Sequence, residues 1–220
     1  MDALGIRLKE LRQQSGLSLR EFARQVNVSP SFVSQIENGK SQPSVATLYA
    51  FSQRLNVTVD ELFEGAPGTV GLPAADTRQR DNVLTDPASA WRPSEFANRI
   101  SVVHPRHRSR LDMAAGVVWE RLAATPETSV SFMKIVYKPG ASSADTEELA
   151  HHAGYEYGYV TIGQLEVRVG YEVFVLNAGE SLGFDSSIPH VFCNPGSVDM
   201  EGIWFVHGRG DHAGSTSRQK

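Results

Sequence analysis

The chain has 220 residues, 40% of them hydrophobic and 21% charged, with a formal net charge of -4 and one cysteine, Cys193. That length favours two small domains over one large one, and the composition is that of a globular protein. An overall basic footprint for nucleic acid is excluded, so any DNA contact is local, and the lone cysteine excludes an internal disulfide framework and fits a reducing compartment. No run approaches the roughly 18 apolar residues needed to cross a membrane, and "MDALGIRLKELRQQSG" lacks the apolar core of a signal peptide. A soluble, cytoplasmic protein without a membrane partner is expected.

The first 65 residues read as helices. Leu4, Leu8 and Leu11 recur at helical spacing, and Gly16 is their stop. Ser18 caps a second helix, with Glu21 three residues later in the capping-box arrangement, and Leu19, Phe22, Ala23 and Val26 form its buried side up to about Asn27. A third short helix starts with Ser29 as N-cap and Pro30 at the first helical position, and stops at Asn38 and Gly39. Ser44 caps a fourth that runs to Asn56, and Thr58 caps a last turn in "TVDELF".

Residues 66–112 form a connecting segment. Glycine, proline and alanine are dense from Gly65 to Gln79, which predicts a flexible connector, followed by a helix around Ser94 to Arg99 and a strand around Ile100 to His104. From 113 to 210 the texture changes to strands: "GVVWERLA", "VSFMKIVYKPG", "EYGYVTIGQLEVRVG", "YEVFVLNAGESLGF", "PHVFCNPG" and "MEGIWFVHG", separated by Gly, Asn or Pro turns. Their regular spacing points to a double-sheet barrel or sandwich. Residues 211–220 are expected to be a disordered tail.

Two helices joined by a tight turn, the second capped and polar on its outer face, form the helix-turn-helix device that places this second helix in the major groove. The stretches "LRQQSGLSLREFARQVNVSPSFVSQIENGKSQPS" and "LNVTVDELF" resemble the lambda and Xre repressor family from about Leu4 to Phe63. The resemblance implies a five-helix lambda-repressor-like domain, an internal Arg12–Glu37 ion pair and a homodimer on operator DNA. Ser31, Ser34 and Gln35 are the candidates for reading bases, glutamine being able to contact adenine with two hydrogen bonds, and the capping Ser29 is counted with them as a DNA-binding residue. Arg20, Asn38 and Lys40 are candidates for phosphate contacts. Family members often carry Gln near the start of the second helix, where "SLRE" offers Leu19 and Arg20 instead.

Glu156 followed after six residues by Gly163, and "PHVFCN" from Pro189 to Asn194, resemble the ends of the two cupin motifs. The resemblance covers about Met113 to Gly208 and implies a cupin double-stranded β-helix, a jelly-roll barrel, in a multidomain α and β protein. Metal cupins gather three histidines and a glutamate. Alignment on Glu156 and Gly163 makes His152 the second histidine and leaves Ala150 at the first position, while His151 faces the other way. His152, Glu156 and His190 remain, a set sufficient for a divalent metal such as zinc. The other occupant is an organic ligand in a metal-free pocket, held by His152, Glu156, His190, Tyr157 and Phe184. Tyr155, Tyr159 and Trp204 are further aromatics for that pocket, though aromatics in strands are more often core. Cys193 is read as packing, and "HPRHRSR" from His104 to Arg110 as a solvated basic edge.

A sequence-specific transcription regulator is expected, whose barrel senses a small-molecule effector or metal, and not an enzyme. The alternatives are a cupin metalloenzyme with a DNA-binding head and a constitutive repressor whose barrel only dimerises.

Overall fold

Side-chain caps set the helix boundaries in the head. The structure, a computed structural model, describes residues 3–62, 101–123, 130–144 and 149–208. Helices α1 (Ala3–Gln14), α2 (Leu19–Gln25), α3 (Pro30–Glu37), α4 (Val45–Leu55) and α5 (Val59–Leu62) follow one another, the last a single turn. The Ser18 hydroxyl accepts from Glu21 N at 3.2 Å while Ser18 N donates to the Glu21 carboxylate at 3.0 Å, completing the capping box of α2. The Ser29 and Ser44 hydroxyls accept from Phe32 N and Thr47 N in the same way at the starts of α3 and α4. Leu8, Phe22, Val33, Ile36, Leu48 and Phe51 close the core of the head at 2% exposure or less. Among them runs the ion pair that the resemblance implied: Arg12 Nε and Nη2 donate to Glu37 Oε1 and Oε2 at 2.5 and 3.0 Å.

The barrel is two antiparallel sheets. Strands β1 (Arg110–Asp112), β2 (Val117–Ala123), β3 (Val130–Tyr137), β4 (Tyr155–Ile162), β5 (Gln164–Val169), β6 (Glu172–Asn177), β7 (Ser181–Asp185), β8 (His190–Cys193) and β9 (Met200–His207) pair in the orders β1-β2-β3-β9-β4-β7 and β6-β5-β8. Alternation drives the packing: Met133, Ile135 and Tyr137 of β3 and Trp204 and Val206 of β9 turn inward and are at most 2% exposed. Gly163 makes the β4–β5 turn at φ +74°, where a side chain would also press on the Asp199 carbonyl at 2.9 Å.

Two expectations change, and three others fall outside the described residues. Ser101 to His104 form no strand and lead into a 3₁₀ turn, Pro105–His107, because Pro105 donates no backbone hydrogen bond to a ladder. The sheet starts with β1, ahead of the boundary expected at 113, through pairing of Leu111 with Trp119. The connector from Gly65 to Gln79, the helix around Ser94 to Arg99 and the tail at 211–220 lie outside the described residues. No described helix is long and apolar enough to cross a membrane.

Head and barrel touch through α4. Ala46 N donates to Ser143 O at 3.1 Å, Ala114 N to Pro43 O at 3.0 Å, and Gln53 Nε2 to His151 O at 2.8 Å.

Candidate functional site

Strand β4 positions the acid of the barrel site. Its residues alternate, with Glu156, Gly158 and Val160 inside and Tyr155, Tyr157 and Tyr159 outside. His190 opens β8 and is fixed by its N–H on the Ala150 carbonyl at 2.9 Å; His152 precedes β4 and is fixed by its N–H on Ser186 O at 2.9 Å. The three side chains converge: His152 Nε2 and His190 Nε2 lie 2.7 and 3.4 Å from Glu156 Oε1, and one ligand atom from each residue falls within 4.8 Å of the others. All three are buried, at 7%, 2% and 2% exposure for His152, Glu156 and His190.

The hydrogen bonds around this triad set its chemistry. His190 Nδ1 lies 2.9 Å from Ile188 O and His152 Nδ1 3.2 Å from Ala153 O. A carbonyl can only accept, so each Nδ1 is the donor there and each Nε2 faces Glu156 Oε1. A neutral ring turns a lone pair to that oxygen and needs a cation between them, whereas a doubly protonated ring donates to it. Burial pushes the Glu156 carboxyl up, but the hydrogen bonds and charge of His152 and His190 overcome it and hold the group well below the usual carboxylate range. The Trp204 indole N–H donates to the other oxygen, Oε2, at 2.7 Å. Gly158 sits opposite Trp204 in the β4–β9 register, and a Cβ there would meet the indole at 2.1 Å, so only glycine lets the ring lie across the strand. The donor set fits a divalent ion: two imidazole nitrogens with their second nitrogens anchored on carbonyls, and one carboxylate oxygen oriented by an indole.

The space at the triad is small. A cavity of about 10 Å³, room for roughly one water, is lined by Tyr49, Trp119, Tyr137, Glu156, His190 and Trp204 among others. The buried Trp119 indole N–H has no acceptor among the described residues, and burial, then the Glu156 charge, keeps the Tyr137 phenol protonated by pushing it well above its usual range. Both are donors available to a polar occupant.

Tyr157 is a correction. It was expected to hold a ligand, but it is 53% exposed on the outer face, since it neighbours the inward Glu156 on one strand. Phe184 packs its ring edge-on against His190, centroids 4.9 Å apart. Ala150 is buried beside the triad and His151 is exposed, so His151 does not join it. The Cys193 thiol lies 3.4 Å from the Ser142 hydroxyl. In the basic stretch, Arg108 pairs with Glu120 at 3.2 Å and Arg110 with Asp112 at 2.7 Å. Sequence reasoning missed Tyr49 and Val45, which reach the barrel from the head, and the hydrogen-bonding part of Trp204.

On the head, Arg20, Ser29, Ser31, Gln35, Asn38 and Lys40 are exposed and Ser34 is half-buried. Two of these side chains serve α3 itself. The Ser29 hydroxyl caps its start, also lying 3.0 Å from that of Ser31, and the Asn38 amide donates to Ser34 O at 2.7 Å at its end.

Residues 8–62 match the helix-turn-helix family and residues 133–206 the cupin domain. The chain is similar to the HTH-type transcriptional regulator PuuR of Escherichia coli (strain K12), with 26% identity over 87% of this chain and 88% of that protein. It is similar also to the HTH-type transcriptional regulator SutR of the same strain, with 29% identity over 93% and 94%. An HTH_3 family transcriptional regulator from Vibrio cholerae shares the fold, with TM-score 0.58 and 20% identity over 94% of this chain and 96% of that one.

Proposed function

We propose that the chain, with its helix-turn-helix match at 8–62, its cupin match at 133–206 and its likeness to two HTH-type transcriptional regulators, is a cytoplasmic, homodimeric regulator of that kind, not an enzyme, whose barrel senses a ligand and tunes operator binding. Helix α3 lies in the major groove. Gln35 and Ser31 read base edges, with Ser34 beside them, and Arg20 and Lys40 clamp phosphates, while Ser29 and Asn38 hold the helix ends and present backbone groups to the duplex. The pairing of two heads specifies half-sites about one helical turn apart.

The observation that carries the sensing reading is the convergence of two imidazole Nε2 atoms on one Glu156 oxygen in a buried cavity. His152, Glu156 and His190 would hold a divalent ion such as zinc, which supplies the positive charge that these lone pairs face. The size of the cavity supports an ion, with a water at most, over an organic ligand in this arrangement. Metal analysis of the purified protein and of His152→Ala tests the site. One zinc per chain in the wild type and loss in the variant are expected, and equal near-zero content in both, even after incubation with zinc, would reject it.

A further inference from the structure

We infer that helix α4 of the DNA-binding head is the lid of the barrel, and that an organic effector reaches the triad only by swinging Tyr49 out and releasing the head. The inference rests on the sensing function proposed above and specifies how a ligand would reach the recognition helix.

Tyr49 belongs to the head by sequence and to the barrel by contact. Its ring is stacked on His152, centroids 4.3 Å apart at 18°, and meets Trp119 edge-on at 5.9 Å. On its far side lies a second space. A cleft of about 540 Å³ runs between head and barrel, lined by Val28, Phe32, Ala46 and Gln53 from the head and by His151 and Pro189 from the barrel. Tyr49 and Ala150 line both this cleft and the small cavity at the triad. The phenol ring is therefore a partition between two compartments.

Size separates what each compartment can take. Organic ligands occupy pockets of about 300–1,000 Å³, a range that the cleft meets and the triad cavity misses. A ligand spanning both must displace part of the wall. The barrel side is built of strands locked into ladders, whereas among the described residues hydrogen bonds at Pro43, Ala46 and Gln53 and the Tyr49 stack tie α4 and the loop before it to the barrel. The weaker side is the head. Leu48, Phe51 and Leu55 pack α4 beside Phe22, Val33 and Ile36 in an apolar cluster that continues into the barrel, and the Phe51 ring lies 5.1 Å from that of Phe22, so α4 and α3 move together. Phe32, one residue from Ser31, already forms part of the cleft wall. An ion fits with the lid shut, an organic effector with it open. By linkage, a duplex that selects the docked head weakens the organic ligand by the same factor as the ligand weakens the duplex.

The ligand class follows from the lining. Among the described residues no Asp, Glu, Lys or Arg lines the cleft, whose groups are apolar side chains with Asn27, Thr47, Gln53 and His151 at the polar end. That suits a largely apolar organic molecule carrying a group able to reach the triad.

The test uses the full chain in a Cys193→Ser background, spin-labelled at Gln13→Cys on α1 and Tyr171→Cys on the barrel, with Ala150→Phe as a built-in occupant too large for the triad cavity. A single narrow label-to-label distance is expected in the zinc-loaded protein without the occupant. Ala150→Phe should lengthen and broaden it, and adding Tyr49→Ala should restore it by making room. An unchanged distance in Ala150→Phe, or one that stays broad in the double variant, overturns the lid. Should Ala150→Phe fail to fold, zinc release to a chelator replaces it: Tyr49→Ala should speed release about ten-fold or more while Tyr49→Phe leaves it near the wild-type rate. Equal rates in all three overturn the lid as well. Head release without any change in operator affinity would leave the lid standing and sink the regulatory function instead.

Discussion

The Trp204 indole N–H donates to Glu156 Oε2 at 2.7 Å, which leaves Oε1 to face His152 and His190. The indole thus orients the carboxylate without contacting the imidazoles' inner nitrogens. Trp204→Phe keeps most of the packing and removes the donor, so zinc affinity measured against a chromophoric chelator should fall about 10- to 100-fold while the fold persists. Unchanged affinity would show that the indole orients nothing.

Gly158 makes room for that indole. Gly158→Ala should move Trp204 off Glu156, lower the melting temperature of the barrel and weaken zinc as Trp204→Phe does. A variant with wild-type melting and wild-type zinc affinity would refute the steric account.

Arg12 and Glu37 are 8% and 5% exposed and joined by two hydrogen bonds. Arg12→Ala would strand a buried carboxylate and should cost about 3–5 kcal/mol in denaturant unfolding of the head, whereas the paired Arg12→Met/Glu37→Leu change should recover most of it. A single variant within the error of the wild type would mean the pair is dispensable.

The recognition surface separates two kinds of contact. Gln35→Ala should cost about 1–3 kcal/mol and relax preference at one base position, while Lys40→Ala should weaken all sequences alike and reduce the salt slope by about 1. Base-selective loss in Lys40→Ala would reverse the assignment.

The capping box sets a pH dependence. Hydrogen bonds from Ser18 lower the Glu21 carboxyl from its usual 4.5. A carboxyl depressed on folding stabilises the folded state above its unfolded value and loses that contribution as pH falls through the folded one. The melting difference between wild type and Glu21→Ala should therefore be widest near neutrality and shrink below about pH 4.5. A constant difference across that window would rule out the carboxylate as its source.

What could be read from the sequence follows physical range. Helix starts were legible because Ser18, Ser29 with Pro30, and Ser44 act on residues two or three positions away. The triad was legible because motif spacing carries Glu156, His152 and His190 across distant strands. Tyr157 was misread although its neighbour gave the answer: two consecutive residues of one strand cannot both face the barrel interior. Tyr49 had no local signal of its own, since a residue that packs on another domain and one that packs on its own helix bundle look alike. The available hint was width. Val45 and Tyr49 form a second buried row on α4 beside Leu48, Phe51 and Leu55, more apolar face than a surface helix with one neighbour requires.

The central claim is that α3 reads a duplex under the control of the barrel. Selection of bound sites from a random duplex pool by the intact protein, followed by titration of the winning site with zinc-loaded and chelator-treated protein, tests it most directly. One enriched, two-fold-related sequence whose affinity differs between the two preparations is the expected result; no enrichment, or equal affinity in both, would contradict it.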